Sequence, residues 1–310
     1  MFARIATIAL NTYREASRAR VLYGLVGLAL ATTFYSIIVG AYTLKSAPRV
    51  VADLGSATVS IYAIAVAIML AGTSLHRELE YKTIFPILAR PIRRSEYLVG
   101  KYFGTMLTLA VFIAIDGIVV LFTLAVMGGR SPALVFLVVV GSTAAMIAYG
   151  IKAKRHGVFA PIPWAAALLV VAALLASPYP DERRVVLGLC ALTFLEVAIV
   201  TAIAQFFASF SSPFLTAIMT LGVFVVGRQA DSLAKLPVKV FGETIARAGA
   251  IVSKVVPNLN VYVPARPLLT GEAIGESLGP YLGMAALQSV AWSLLLLIIA
   301  VQIFNRRDFL

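Results

Sequence analysis

Charged side chains are scarce in this 310-residue chain: Asp, Glu, Lys and Arg make up 13% of it, and hydrophobic residues make up 61%. Soluble globular domains carry about 25% charged residues, so the composition excludes an ordinary soluble domain. Apolar runs of about 20 residues recur along the chain, which is the length that a helix needs to cross a bilayer. The first run, residues 21–42, is too long for the core of a signal peptide, so we predict that it is retained as a span.

Residues that carry redox, metal or nucleotide chemistry are also few. The single cysteine, Cys190, excludes an intramolecular disulfide, and its place inside an apolar run predicts a packing role. Histidine occurs twice, and neither an HExxH nor a CxxC metal motif is present. The Gly-Lys pair Gly100-Lys101 lacks the earlier glycine and the following Ser or Thr of a phosphate-binding loop. We therefore predict a non-catalytic chain without cofactor or metal, which depends on another polypeptide for any ATP hydrolysis.

Acidic residues are outnumbered: the chain has 26 Lys and Arg against 14 Asp and Glu, for a net charge of +12. Such an excess can indicate nucleic-acid binding, but the positions of the basic residues explain it better, and we predict no nucleic-acid partner. With both termini in the cytoplasm, the inner segments would hold fifteen Lys and Arg and the short outer turns five. Because basic residues are retained on the cytoplasmic side, this bias predicts a multi-pass protein of the cytoplasmic (inner) membrane with both termini inside.

Hydropathy predicts an all-α polytopic helical membrane protein with about eight spans in one domain, residues 1–310. Residues 1–20 mix arginines with apolar side chains and predict an amphipathic helix lying on the membrane. The turn between the sixth and seventh spans is very short, so these two should form an antiparallel hairpin. The spans are expected at about 21–43, 56–75, 102–127, 132–151, 158–177, 185–210, 213–227 and 281–304.

The long charged stretch between the second and third spans is residues 76–101, called here the charged segment. It contains six basic and three acidic residues, yet apolar side chains recur within it. The first helix should stop before Pro91, because the residue that precedes a proline avoids the α region. Ser95 followed by Glu96 suits the N-cap of a second helix that continues into the third span. The segment is thus expected to form a helix, a turn and a second helix at a membrane face.

Two runs within and just after the charged segment carry a family resemblance. They are Arg77-Glu78-x-Glu80-x-x-Thr83 and Leu88-Ala89-Arg90-Pro91-Ile92-x-Arg94-x-Glu96-Tyr97-Leu98-x-Gly100-Lys101-x-x-Gly104. They resemble the cytoplasmic signature of the ABC type-2 permease family, the membrane subunits of ATP-driven transporters, most of them exporters. The resemblance implies two permeases, identical or related, seated on two separate ATPase subunits. Because the family usually has six spans, it also implies that residues 132–177 are an inserted pair of helices.

The resemblance further implies that the charged segment is the coupling helix, which passes force from the ATPase to the spans on either side. A basic loop between two spans is also ordinary topology. This loop, however, is longer than two spans need, carries acidic residues and is broken by a proline. Pro91 and Gly100 are expected to shape its backbone. The residues predicted to contact the ATPase are Arg77, Glu78, Glu80, Thr83, Arg90, Arg93, Arg94 and Glu96.

Two carboxylates, Asp116 and Glu196, fall near the middle of predicted spans, where an ionised side chain is costly. Such residues turn toward the bundle interior, where they find partners. With Gln205 they could line a translocation path or a proton relay. Alternatively they could form hydrogen bonds between helices. The partners available for such bonds are Thr193, Thr201, Gln205 and Gln288.

The segment 228–280 separates the last two spans and is expected on the extracytoplasmic side. After Pro237, apolar residues recur at three- and four-residue steps, which predicts an amphipathic helix of about 18 residues that ends before Pro257. Glu243 and Arg247 are spaced to form an ion pair on one face of that helix. The helix could cover the ends of the spans, or it could act as a lid or a docking site for a partner.

Together these features predict the permease subunit of an ABC transporter, an exporter that also contacts membrane lipid. The substrate class stays open among lipids, lipophilic drugs, polysaccharides and ions. One alternative is a proton-coupled secondary transporter, which would work without an ATPase and would depend on Asp116 or Glu196. The other is a membrane scaffold that recruits an extracytoplasmic partner, which would show no ATP-dependent flux.

Overall fold

The computed structural model describes residues 2–43, 46–80, 93–272 and 277–306, without the side chains of 74–80 and 154–156. These residues form twelve α-helices and two short 3-10 helices, and no strand occurs among them. The prediction of an all-α protein is confirmed. The α-helices are α1 (Phe2–Ala16), α2 (Arg20–Ala41), α3 (Ala47–Glu80), α4 (Arg94–Met127), α5 (Pro132–Lys152), α6 (Pro161–Leu175), α7 (Pro180–Ala208), α8 (Pro213–Arg228), α9 (Ala230–Ala234), α10 (Val238–Val255), α11 (Arg266–Thr270) and α12 (Leu278–Arg306).

Seven helices in the described part of the chain are long and apolar enough to cross a membrane: α2 to α7 and α12. The remaining predicted span, 213–227, is the shorter apolar helix α8, which has 16 residues. At about 1.5 Å per residue α8 is about 24 Å long, less than the ~30 Å hydrocarbon core of a bilayer. Its last residue, Arg228, lies beside Ser60 and Glu196, which are well inside the long apolar helices α3 and α7, and not at the level of their ends. The prediction of a polytopic bundle with about eight apolar helices is confirmed.

Helix α7 is the centre of the bundle, packed against α3, α4 and α12. Every residue from Glu196 to Gln205 is buried, on all sides of the helix. A helix that is buried all round needs apolar residues on every face, and this stretch is mainly Ala, Val and Ile. The short side chains also let neighbouring helices approach closely, as is usual where helices pack inside a membrane.

The helices run up and down and give the bundle two ends. The near end carries α1, the charged segment and the end of α12, and the Arg94 guanidinium there donates to the Phe304 carbonyl at 3.0 Å. The far end carries the described part of residues 228–277 and the turn after α4. There the Tyr262 hydroxyl donates to the Ala285 carbonyl at 3.1 Å. Both ends are therefore joined by hydrogen bonds between segments far apart in sequence.

Helices α5 and α6 correspond to the inserted pair that the resemblance implies. Helix α6 packs on α4, whereas α5 buries only Val135 among its side chains. The rest of α5 is apolar and exposed, as suits a helix surrounded by lipid. The pair thus lies at the edge of the bundle, away from the contacts between α3 and α7.

Two local predictions need correction. Helix α4 begins at Arg94 with Arg93 as its N-cap, and not at an N-cap on Ser95. The reason is Glu96, which occupies the third helical position and accepts the Arg93 N–H at 3.1 Å. Helix α10 spans the predicted residues, but it is kinked at Gly242, where φ is 79° and only glycine is readily accommodated.

Candidate coupling and transport site

The start of α4, which contains the described end of the charged segment, is packed against α1. A Cβ atom added at Gly100 would lie 2.7 Å from Ile8, and one added at Gly104 would lie 2.5 Å from the Ala9 carbonyl oxygen. Contacts this short exclude a side chain at either position. Gly100 was predicted to shape the backbone. In the structure, its lack of a side chain allows α1 to pack closely against α4.

Charged side chains at the start of α4 are engaged inside the chain. The Glu96 carboxylate is buried, accepts the Arg93 N–H and lies 3.7 Å from Arg4 of α1. The Arg94 guanidinium donates to the Phe304 and Asn305 carbonyls of α12 at 3.0 and 3.1 Å. These bonds join α1, α4 and α12 at the near end. A direct contact of Glu96 or Arg94 with an ATPase stays a prediction.

The structure describes the other residues predicted to contact the ATPase only in part. Arg77, Glu78 and Glu80 lie on the last turns of α3, where the backbone is described and the side chains are not. Thr83, Arg90 and Pro91 lie outside the described residues. The Arg93 side chain is exposed.

The helices that flank the charged segment are unusually long. Both α3 and α4 have 34 residues, so each is about 51 Å long against a hydrocarbon core of ~30 Å. The apolar part of α3 ends at Thr73, and its last turns therefore project from the membrane at the near end.

A buried ion pair joins three helices within the bundle. The Glu196 carboxylate, which is fully buried in α7, binds Arg228 at the end of α8 through two contacts, 2.7 Å to Nε and 2.8 Å to Nη2. The same guanidinium lies 3.3 Å from the Ser60 hydroxyl of α3 and 5.4 Å from the centre of the Phe224 ring. The Nη2 contact is a hydrogen bond, whereas Nε and Oε1 are close but have no hydrogen-bond partner in the described part of the chain. The pair is therefore held by charge attraction together with the hydrogen bonds that Nη2 donates to Glu196 and Ser60.

Sequence reasoning left Glu196 open between a translocation path or proton relay and a hydrogen bond to a neutral side chain, and it did not consider Arg228 as a partner. It assigned Arg228 to the long segment beyond the seventh span. The available signal was the length of that span: an apolar run of about 15 residues cannot cross the bilayer, so the arginine at its end stays within it. An arginine at that depth requires a carboxylate partner, and Glu196 is the acidic residue in the middle of α7, the helix next to α8, whereas Asp181 and Glu182 lie in its first turn.

The other two residues predicted to line a path are buried separately. Asp116 of α4 is 2% exposed, and neither of its carboxyl oxygens has a hydrogen-bond partner in the described part of the chain. Gln205 is nine residues beyond Glu196 on α7, which turns it to the opposite face of that helix. The structure therefore does not bring Asp116, Glu196 and Gln205 to one site.

A cavity of about 790 Å³ lies between α3, α7, α8 and the chain around residues 260–266. Arg228 and the Ser60 hydroxyl belong to its wall, and apolar side chains such as Ile64 and Phe224 line much of the rest. At its far end Arg266 binds two carboxylates, Asp53 of α3 and Glu182 of α7, the second at 3.4 Å. The cavity thus has a charged mouth and an apolar interior.

Polar contacts also hold the segment beyond α8 in place. The Asp231 carboxylate accepts from the Asn258 amide at 2.7 Å and from the Asn260 amide at 2.8 Å. The hydrogen bond from Asn260, with a smaller contribution from Asn258, holds the pKa of the Asp231 carboxyl below its usual value. These bonds fix the chain that closes the far end of the cavity. In α10 the predicted pair is present, with Glu243 and Arg247 2.5 Å apart.

Apolar helices around a cavity, with paired charges inside the bundle, define a polytopic helical membrane protein. The chain matches the family described as "ABC-2 family transporter protein" over residues 7–309. It therefore belongs to the ABC-2 transporter family, and the resemblance carried by the charged segment is confirmed. Membership makes the chain a membrane transport component of the ABC permease type and implies association with an ABC ATPase subunit. A comparison with curated proteins finds no match.

Proposed function

We propose that the chain is the permease subunit of an ABC exporter of the inner membrane, one of two permeases that work on a pair of separate ATPase subunits. The observation that carries this proposal is the continuity of α3. One helix lines the cavity between Asp53 and Ile68 and then runs on to Glu80 in the charged segment. Because each turn of a helix is hydrogen-bonded to the next, a push on the charged segment moves the cavity wall.

The packing at the near end supports the same mechanism. Helix α1 lies against α4 at Gly100 and Gly104, and Arg94 links α4 to α12. Force that enters the charged segment is therefore passed to α3 and α4 together instead of bending a free loop. The residues proposed to receive it from the ATPase are Arg77, Glu78, Glu80, Thr83, Arg90, Arg93, Arg94 and Glu96.

Nucleotide-driven closure of the ATPases would in this mechanism switch the cavity between two accessible states. Rigid-body movement of helices about a packed interface is a common form of such a transition. The interface that would rearrange is the one between α3, α7 and α8, where Arg228 links all three helices through Glu196 and Ser60.

The direct test is co-purification with a Walker-type ATPase, to be sought first among the neighbouring reading frames. Glu78→Lys and Arg93→Glu reverse charges in the charged segment, and Arg93 is preferred to Arg94 because the Arg94 guanidinium is bound to α12. Loss of the charged contacts should reduce co-purified ATPase about tenfold, the effect of about 1.4 kcal/mol.

The matched control is Glu243→Lys, which reverses an exposed carboxylate on α10 at the far end. It should leave the ATPase bound, because α10 is far from the charged segment. Equal binding by all four proteins would contradict the assignment of the charged segment. An equal loss of ATPase binding in Glu243→Lys would also contradict this assignment, because the loss would then reflect the change in net charge and not the position of the residue.

Asp116 favours a second candidate, a proton-coupled transporter. Both of its oxygens are buried without a hydrogen-bond partner in the described part of the chain, as in a carboxyl that binds and releases a proton. This function predicts transport by the purified chain alone, driven by a pH gradient and lost in Asp116→Asn. Transport that requires the ATPase, and that survives Asp116→Asn, would exclude it.

A further inference from the structure

We propose that the cavity between α3, α7 and α8 binds the transported substrate, and that this substrate is an amphiphile with a zwitterionic head group. The head group would sit at the far end of the cavity and the hydrocarbon chain would lie along α3. This assignment rests on the proposed function, since it names the substrate class of the same permease. Its support comes from the shape, polarity and charge of the cavity wall.

The cavity has the length of a lipid-like molecule. Its wall on α3 extends from Arg49 to Ile68, which is 19 residues or about 28 Å along the helix axis. Half of the ~30 Å hydrocarbon core is about 15 Å, the depth of one acyl chain, and the rest accommodates a head group. The volume of about 790 Å³ is also in the range of small-molecule sites, which run from about 300 to 1,000 Å³.

The cavity wall becomes less polar from its far end toward its deeper part. The far part of the α3 wall is formed by Arg49, Asp53 and Ser56, and the deeper part by Ile64 and Ile68. The Ser56 hydroxyl is buried and has no hydrogen-bond partner in the described part of the chain. A buried hydroxyl without a partner is costly, so it marks a position where a polar group of a ligand is expected.

Three arginines line the cavity, Arg49, Arg228 and Arg266, together with one carboxylate, Asp53. Glu196 and Glu182 lie behind the wall and bind Arg228 and Arg266, so each arginine lies within 3.8 Å of a carboxylate and the charges of this group balance. A head group with a net charge would leave one uncompensated charge in a partly desolvated cleft. A zwitterion avoids this, because its anionic and cationic groups can bind the half-exposed Arg49 and Asp53, whose side chains are 62% and 47% exposed.

The cavity is open to the side as well as at its mouth. Ile61 of α3 and Leu221 of α8 line it, and they are 65% and 51% exposed. Exposed apolar side chains on facing helices form a slit through which a hydrocarbon chain can enter from the bilayer without crossing water. The open groove between α4, α7 and α12 has a mainly apolar wall with a few uncharged polar residues, and none of the described residues that line it is charged, so it provides an internal control.

The experiment measures lipid binding to the purified full-length permease, without ATPase, by native mass spectrometry from a non-ionic detergent. Three probes share one acyl chain: lysophosphatidylethanolamine (zwitterionic), lysophosphatidylglycerol (anionic) and monoacylglycerol (uncharged). One molecule of the zwitterionic probe per chain should be retained, about tenfold more tightly than the other two. Ile61→Trp should abolish this binding by filling the slit, whereas Leu294→Trp, in the groove between α4, α7 and α12, should not.

Two further variants test the charge balance itself. Asp53→Asn leaves the mouth with a net positive charge and should shift preference to the anionic probe. Arg49→Gln, at a more exposed side chain, leaves a net negative charge and should weaken zwitterion and anion binding alike. Equal retention of all probes, no effect of Ile61→Trp, or a dimer that excludes every probe would each overturn the inference.

The two proposals fail separately. If the probe binds but charge reversal in the charged segment leaves the ATPase bound, the coupling role is wrong and the cavity assignment stands. If the ATPase is lost as expected but no probe binds a correctly folded chain, the substrate class is wrong and the permease assignment stands.

Discussion

Polar contacts occur at both ends of the bundle, but the contact between α1 and α4 at the near end differs from the contacts of Arg266 at the far end. At the near end α1 contacts α4 at two glycines, and the fit depends on the absence of side chains at Gly100 and Gly104. At the far end ion pairs join the elements, with Arg266 bound to Asp53 and Glu182. Close packing resists deformation, whereas paired charges can exchange one partner for another.

This difference fits the proposed mechanism. A segment that receives force from an ATPase has to move as one body with its neighbours, and contacts based on shape provide that stiffness. A mouth that opens for a substrate has to break contacts at small cost, and ion pairs near water do so because both charges can be solvated or bound by a head group. The pair of Glu196 and Arg228 combines both properties, because it is an ion pair that is buried among packed helices.

The largest effect is expected at that pair. Glu196→Gln removes the carboxylate and leaves the Arg228 guanidinium within the bundle, which should cost about 3 kcal/mol. We expect the lower limit of the cost of breaking a buried ion pair, because the Arg228 side chain is 22% exposed and can be partly solvated. Thermal denaturation in detergent measures the loss. The double variant with Arg228→Gln should recover part of it, and an unchanged midpoint for Glu196→Gln would show that the pair is not formed.

The next effect tests whether shape determines the near end. Gly104→Ala places a methyl group 2.5 Å from the Ala9 carbonyl oxygen, and such overpacking costs about 1–3 kcal/mol. The matched control is Gly24→Ala in α2, where nothing lies within 4 Å of the new methyl group. That change should be neutral or slightly stabilising, since alanine is the better helix former. Equal midpoints for the two variants would mean that α1 does not pack on α4.

A smaller effect, with a different dependence on salt, is expected at the far end. Arg266→Gln removes contacts to the half-exposed Asp53 and to Glu182, which like Arg266 is less than a fifth exposed. The loss should therefore be about 1 kcal/mol, the upper end of the range for exposed ion pairs. High salt screens such pairs, so the difference from the unmodified chain should shrink between about 0.05 and 1 M salt. The effect of Gly104→Ala should not change over the same range. A salt-independent loss in Arg266→Gln would remove the contrast between the two ends.

Much of the fold could be predicted because it depends on local composition. The length and apolarity of each run identified the helices, and the three- and four-residue spacing after Pro237 placed α10 correctly. The start of α4 was misplaced by two residues, because the helix is capped by the Glu96 side chain reaching back to the Arg93 N–H. That bond depends on geometry which sequence spacing alone does not determine.

The contacts between helices were less accessible. Gly100 was identified from its motif, yet its partner Ile8 lies on another helix more than 90 residues away, and no periodicity links them. Arg228 was missed because hydropathy treats the end of an apolar run as the membrane surface, whereas α8 ends below it. The cavity is lined by this short helix, whose end was misplaced, so the cavity could not be predicted from the sequence.

The smallest expected effect concerns pH and the chain beside the cavity mouth. Because the pKa of Asp231 is lowered in the folded protein, its hydrogen bonds stabilise residues 228–262 above the unfolded pKa of about 3.9. That contribution is lost as the pH falls through the lower, folded value. Hydrogen exchange of this segment should therefore be slower in the unmodified chain than in Asp231→Asn at neutral pH, and the difference should shrink as the pH falls below the unfolded pKa. A difference that stays constant down to full protonation of the carboxylates would show that the Asp231 carboxylate does not hold the segment, and the closure of the far end would then depend on the Tyr262 contact with α12.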